Sequence, residues 1–405
     1  MTIFSVQSTI FTRASVALLS SNGLKRFSLA SSFSSNALYS PPLPKTNKRR
    51  FPIVSAVDIG GVTVARNDVV REDDPTNNVP DTIFSKLGMQ LHRRDKHPIG
   101  IIKNAIYDYF ESNYAKKFET FEDLSPIVTT KQNFDDVLVP ADHRHLKEHG
   151  YRRFLVTGDV YRRDSIDSTH YPVFHQMEGF CVFSPEDWNE SGKDSTLYAA
   201  EDLKKCLEGL ARHLFGAVEM RWVDTYFPFT EPSFELEIYF KEDWLEVLGC
   251  GVTEQRILKQ SGLENNVAWA FGLGLERLAM VLFDIPDIRL FWSDDERFTS
   301  QFGKGELGVK FKPFSKYPPC YKDISFWISE SFTENNFCEV VRGIAGDLVE
   351  EVKLIDSFTN KKGMTSHCYR IVFRSMERSL TDEEVNDLQS KVRDEVQRKL
   401  NVELR

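Results

Sequence analysis

From Phe154 to Phe283 one short apolar run follows another, with few helices between them. Residues 154–160 and 174–183 are rich in β-branched and aromatic side chains and read as strands. Phe234–Phe240, Trp244–Leu248 and Ala268–Phe271 read the same way. Only Glu201–Phe215 and Leu275–Phe283 in this stretch have helical spacing. A doubly wound parallel sheet needs a helix after each strand, so the pattern excludes it and points to an α+β fold. Before this stretch, Pro98–Tyr114 sets Ile101, Ile102, Ala105, Ile106, Tyr109 and Phe110 on one helical face, with proline near the start.

The tail from Lys312 to Arg405 is a unit of its own. Ile324–Ile328 reads as a strand, Glu334–Ala345 as a helix, and Val352–Phe358 and Cys368–Phe373 as strands. Thr381 and Glu384 form a capping box that opens a second helix, and Val402–Leu404 supplies a last strand. The order βαββαβ is the ferredoxin-like arrangement, which leaves one sheet face free to bind. The unit has 15 Lys and Arg against 16 Asp and Glu, so RNA contact there needs local patches. Arg370 and Arg374 share parity and offer a phosphate contact; the alternative is a solvated strand face.

The 405 residues suffice for two or three domains. No run approaches the roughly 18 apolar residues of a membrane span. A net charge of −9 argues against a general DNA-coating surface. The six cysteines form no Cys-x-x-Cys pair, so neither a zinc ribbon nor a disulfide framework is indicated. Residues 1–57 stand apart: they hold seven Lys and Arg, twelve serines and no acid. That is the composition of a transit peptide to a mitochondrion or chloroplast stroma. Residues 58–97 read as a polar, irregular lead-in.

Two segments carry chemistry. Val160-Tyr161-Arg162-Arg163-Asp164 leads through Ser168-Thr169-His170-Tyr171 into Phe174-His175-Gln176-Met177-Glu178. The planar fork of arginine suits phosphate, and Gln176 and Glu178 fall on one strand face, where an ammonium group fits. Arg-Arg-Asp alone reads better as a solvated edge hairpin. The second segment, Trp269-Ala270-Phe271-Gly272-Leu273-Gly274-Leu275-Glu276-Arg277, is a strand, a glycine turn and a helix with Arg277 in its first turn. Its turn lets backbone N–H groups approach an anion, but it is neither a P-loop nor a Rossmann fingerprint.

In this order the two segments resemble motifs 2 and 3 of class II aminoacyl-tRNA synthetases. Together with Phe227-Pro228-Phe229-Thr230-Glu231-Pro232 they are similar to the organellar, single-chain phenylalanyl-tRNA synthetases. The resemblance runs from about Asp81 to Arg405. It implies a class II catalytic domain over 98–301, with a six-stranded antiparallel sheet and flanking helices. It also implies a ferredoxin-like anticodon-binding domain over 312–405.

The implied activity joins phenylalanine to ATP, releases pyrophosphate and passes phenylalanine to tRNA(Phe). ATP enters as a substrate with Mg²⁺, no zinc is needed, no membrane is involved, and the chain acts as a monomer. On this resemblance Arg162 grips the α-phosphate and Arg277 the far end of the triphosphate. Thr169, His170 and Tyr171 line the ATP side. Gln176 and Glu178 hold the substrate ammonium, with Met177 between them. Glu246 sits by the nucleotide and helps hold Mg²⁺; by itself it reads as an exposed strand carboxylate. Phe227, Phe229, Ala270 and Phe271 close the ring pocket, with Gly272 beside them. Without the resemblance, both residues of Phe227/Phe229 and also Phe271 read as core, and Ala270 as a small strand residue.

One segment departs from the family. Pro126 and Asn133–Pro140 look like motif 1, but the His-Thr-Ser triplet expected after them is missing. Ala141–Arg153 stands there instead, and its His143, His145 and His149 read as a solvated linker. The gap keeps open a second function, a catalytically weakened RNA-binding paralogue or a splice form.

Overall fold

The computed structural model describes residues 56–59, 62–69, 81–114, 117–122, 152–161, 165–240, 242–303, 305–313, 317–329, 331–361 and 363–405. All of the transit segment except Ala56 and Val57 lies outside these residues. So do Arg162, the motif 1 segment and His143, His145 and His149. A hairpin of β1 (Ala56–Ile59) and β2 (Val62–Ala65) crosses from the last transit residues into the lead-in, which also holds a few short helical turns.

The main sheet comprises β3 (Glu119–Phe121), β4 (Arg153–Tyr161), β5 (Val173–Phe183), β6 (Glu219–Phe227), β7 (Thr230–Phe240), β8 (Asp243–Thr253) and β9 (Val267–Gly274). Its order is β3-β4-β5-β9-β8-β7-β6. Six strands pair antiparallel, as the resemblance implies; the short β3 adds a seventh, parallel to β4. Three helices pack on one face: α1 (Pro98–Tyr114), α2 (Ser195–Phe215) and α3 (Leu275–Phe283). Helix α1 starts on Pro98, which fits the first helical position because no intrahelical partner awaits its missing N–H. Helix α2 begins six residues before the apolar pattern does. The Asp194 side chain accepts from the backbone N–H groups of Thr196 and Leu197, and so caps it there.

Strand alternation divides β9 between the two faces. Trp269, Phe271 and Leu273 join the helices in the main core, while Ala268 and Ala270 join a smaller cluster opposite. Phe271 lies nearly parallel to Phe110 of α1, with ring centroids 5.9 Å apart. Its ring fits over β5 only because residue 179 is glycine; a Cβ there would sit 2.1 Å from Phe271 Cε1. Burying each such large side chain contributes roughly 1.5–3 kcal/mol.

The C-terminal sheet comprises β10 (Cys320–Trp327), β11 (Val349–Thr359), β12 (Thr365–Phe373) and β13 (Glu403–Leu404), in the order β11-β12-β10-β13. Helices α4 (Glu334–Ala345) and α5 (Asp382–Leu400) cover one face, and Thr381 and Glu384 make the expected capping box. Arg370 and Arg374 do not act as a pair. Arg370 is ion-paired to Asp323 at 2.8 Å, while Arg374 lies past the end of β12, 2.9 Å from Glu350.

The two parts meet at Arg289, whose side chain is 4% exposed. It pairs with Asp287 at 2.7 Å, and its Nη1 donates to the backbone carbonyls of Asp347, Val349 and Arg374. Beside it the Tyr171 hydroxyl donates to Asp347, and the Val352 N–H donates to the Ile166 carbonyl at 2.9 Å. Ile166 itself is buried in the C-terminal core. The loop leading into β5 is thus held by the C-terminal unit.

Candidate active site

On the face of the sheet away from the helices, β5 presents Gln176 and β9 presents Gly272 and Gly274. Gln176 lies opposite Gly274 in the register, and Glu178 opposite Gly272. A Cβ on Gly274 would meet nothing within 4 Å, and one on Gly272 only Gln176 Nε2 at 3.6 Å. The two glycines therefore keep the floor of a pocket clear. Thr169, His170, Tyr171, Gln176, Glu246, Gly272 and Arg277 all line that pocket. Six of the seven come from the two sequence segments, and β8 contributes Glu246.

Glu246 reaches the pocket through a β-bulge. Leu236 faces Leu248 across β7 and β8, yet Glu237 faces Glu246, which leaves Val247 as the extra residue. Bulges re-aim side chains in this way beside functional sites. Glu246 Oε2 lies 3.0 Å from Arg277 Nη1. Its Oε1 and the Oε1 of Gln176 are buried and have no hydrogen-bond partner among the described residues. A buried oxygen left without a donor is costly, so both are suited to a ligand that donates or to a cation.

The loop entering β5 turns around Asp167. One carboxylate oxygen accepts from the backbone N–H groups of Thr169 and His170 and from the Thr169 hydroxyl, and the other lies 2.7 Å from His170 Nδ1. Burial alone would raise the Asp167 carboxyl, but the contacts from His170 and Thr169 hold it well below the usual carboxylate range. Asp167 therefore fixes two of the three residues expected to face ATP, Thr169 and His170. Its signal in the sequence is that of an Asx turn, an Asp bonding to backbone two residues on. Tyr171 stacks on Trp292 at 5.6 Å while its hydroxyl is taken up by Asp347.

Further along the same face the surface becomes apolar. Phe227 and Phe229 lie parallel with centroids 5.8 Å apart, in one cluster with Phe180 and Ala270. The turn that presents them is tied by Ser233, which accepts from the Phe227 N–H at 3.2 Å and donates to the Thr230 carbonyl at 2.7 Å. Residue 251 must be glycine beneath this turn, since a Cβ would lie 2.5 Å from the Pro232 carbonyl oxygen.

Two expected site residues point elsewhere. Met177 is fully buried in the main core, because alternation on β5 sends it to the side opposite Gln176 and Glu178. Phe271 is likewise in the main core beneath the helices, opposite Ala270. Glu178 shares the face of Gln176 but does not line the pocket. The sequence reading also passed over Phe174 and Glu276, both of which line it. Glu276 had one signal, an acid beside Arg277 in the first turn of a helix.

Comparison with known proteins identifies both parts of the chain. A family model described as "tRNA synthetases class II core domain (F)" matches residues 138–302, and one described as "Ferredoxin-fold anticodon binding domain" matches residues 315–405. The chain is 85% identical to the chloroplastic/mitochondrial phenylalanine–tRNA ligase of Arabidopsis thaliana, covering 100% of each chain. That alignment spans 431 positions against 405 residues here, so about 26 positions are filled by the relative alone. The mitochondrial phenylalanine–tRNA ligase of Mus musculus is 46% identical over 82% of this chain and 86% of its own. The phenylalanine–tRNA ligase alpha subunit of Wolinella succinogenes is 35% identical over 51% of this chain and 70% of its own. With a class II core, a ferredoxin-fold C-terminal unit and these full-length similarities, the chain belongs to the class II aminoacyl-tRNA synthetases, in the family of organellar phenylalanine–tRNA ligases.

Proposed function

We propose that this pocket activates phenylalanine with ATP and that the enzyme then passes it to tRNA(Phe). The observation that carries this reading is the pair of unpartnered buried oxygens, on Gln176 and Glu246, opening on one pocket beside Arg277. The Gln176 oxygen accepts from the substrate ammonium, with Glu178 supplying charge from the same strand face. The ring lies against Phe227, Phe229 and Ala270, where aromatic edges and faces pack. This brings the substrate carboxylate toward the ATP side, lined by Thr169, His170 and Tyr171.

The carboxylate attacks the α-phosphorus, pyrophosphate leaves, and the mixed anhydride remains. A ribose hydroxyl of the tRNA terminus then attacks the carbonyl, its proton passing to the departing AMP phosphate or to water, and AMP leaves. Arg277 exchanges its contact with Glu246 for the far phosphates, and Arg162 serves the α-phosphate. Both act by charge and position in the first step, which moves no proton. The Glu246 oxygen left without a partner among the described residues would hold a magnesium ion, since such ions take carboxylate and phosphate oxygens. When bound, the ion offsets charge on the leaving pyrophosphate.

On the same reading, residues 1–57 direct the chain to a mitochondrion or chloroplast stroma, and the mature enzyme is a monomer. Among the described residues no helix is long and apolar enough to cross a membrane. ATP–pyrophosphate exchange measured with each amino acid tests the assignment. Exchange with phenylalanine above all others is the expected result; exchange with a different amino acid, or with none, overturns it.

A further inference from the structure

Under the pocket, on the helix side of the sheet, lies a charged group that the mechanism above leaves unused. His175 on β5 is fully buried. Its Nδ1 is 2.6 Å from Glu276 Oε1, and its backbone N–H donates to Glu276 Oε2 at 2.8 Å. On the other side, its Nε2 is 3.3 Å from Asp159 Oδ1 on β4. Trp292 stacks on the ring with centroids 5.6 Å apart. Among the described residues His92, 3.7 Å from Asp159, and His97 also act on His175, and burial keeps both neutral by pushing the pKa of each down to about 3.

Two buried carboxylates flanking one imidazole need a cation between them, because an uncompensated buried charge is costly. Burial opposes the imidazolium, but Glu276 and Asp159 outweigh it and push the His175 pKa up to about 10. Glu276 also lines the nucleotide pocket and precedes Arg277 in the first turn of α3. An unpaired carboxylate at that point would repel the triphosphate that Arg277 attracts. In the structure both of its oxygens are engaged by His175.

We propose that His175 is a positioning residue for ATP: its imidazolium neutralises Glu276 and holds that carboxylate away from the nucleotide, leaving the charge of Arg277 to face the phosphates. The inference rests on the reading of this pocket as an ATP site. It assigns the buried pair an electrostatic task beyond joining β5 to α3.

Exchange kinetics test it with His175→Gln, which removes the charge while retaining a donor. The KM for ATP rises by roughly tenfold and the KM for phenylalanine by less than about threefold, the split expected when only nucleotide binding loses an interaction. The double variant His175→Gln/Glu276→Gln, again neutral as a pair, recovers most of the ATP loss. A purely structural pair gives the opposite result: both KM values shift together, and the double variant is worse than the single. Should His175→Gln fail to fold, ¹⁵N spectra of labelled histidine in the parent enzyme decide the matter. A doubly protonated His175 ring between pH 6 and 9 supports the proposal. A neutral ring, or a stoichiometric metal on its Nε2, overturns it. Arg277→Ala belongs in the same series. If its ATP KM matches the parent, the ATP reading itself fails, whatever His175 does.

Discussion

The catalytic sheet and the C-terminal sheet both pack helices on one face and leave the other open, but the open faces are built from different materials. The first consists of glycines, buried oxygens without a hydrogen-bond partner among the described residues, and an apolar cluster further along. The second shows Tyr321 and Phe358 to solvent, and Arg405 lies 5.4 Å from the rings of both Trp327 and Phe358. Rings and a cation on a flat sheet suit stacking on unpaired bases. On the proposed function, the difference separates a chemical step from recognition of a large partner. The sheets are nevertheless joined, because the loop that lines the ATP side is tied to Asp347 and Val352 of the C-terminal unit.

That joint gives the largest expected effect. Arg289→Ala leaves the buried Asp287 carboxylate uncompensated and three carbonyls without their donor, which costs about 3–5 kcal/mol of stability. Chemical denaturation would measure it. Exchange activity and tRNA charging should fall together, since the Tyr171 loop loses its support. Removal of 312–405 should behave likewise and impair activation as well as charging. Unchanged exchange after either alteration would mean that the two sheets function as independent units.

Arg277→Ala and Arg405→Ala sharpen the contrast between the two open faces. Loss of Arg277 should reduce pyrophosphate exchange by about 10²–10³-fold, as for other lost transition-state donors. Loss of the exposed Arg405 should leave exchange intact and weaken charging by roughly tenfold, typical of one lost stacking or cation–π contact. If Arg405→Ala slowed exchange instead, the division of labour between the faces would be wrong.

The histidines beneath the catalytic sheet set its pH limits. The pKa of His175 is pushed up to about 10 from 6.5, so its contribution to stability is complete below about pH 6.5 and is lost as pH rises toward 10. His92 and His97 are pushed down to about 3 by burial, so theirs is present above about pH 6.5 and is lost as pH falls. Unfolding temperature should therefore decline on both sides of neutrality. In His175→Gln the decline between pH 7 and 9 should flatten. An unchanged alkaline slope would show that His175 does not carry that charge.

How legible each region was depended on whether local chemistry or long-range contact shaped it. Helix α1, opened by Pro98, and α5, opened by Thr381 and Glu384, could be read because their signals lie within a few residues. Strand β6 was missed: it is an edge strand whose half-exposed residues, from Glu219 to Tyr226, leave little apolar pattern. Strand β8 was read too short, because Gly249 and Gly251 resemble a turn in sequence, whereas Gly251 lets β7 approach closely. Met177 was avoidable, as the alternation that pairs Gln176 with Glu178 already sends it to the other face. The bulge at Val247 and the reach of Arg289 into the C-terminal unit leave no local trace, since both depend on chain distant in sequence.

The smallest expected effect lies at the proposed ring site, which would be enlarged by a single methyl group. Ala270 is 3% exposed and clusters with Phe227 and Phe229. Ala270→Gly removes about 0.8 kcal/mol of buried apolar contact and costs roughly 0.5–1 kcal/mol in strand stability. The space gained should raise the kcat/KM for para-chlorophenylalanine relative to phenylalanine by about fourfold, the factor equivalent to that one group. Tyrosine should gain less, because its hydroxyl still meets an apolar wall; such a wall discriminates by only roughly 10²-fold, unlike a site built to bind the group. Exchange kinetics for the three amino acids on both proteins provide the ratios. If the glycine variant loses activity on all three without changing their order, Ala270 supports the sheet and does not bound the pocket.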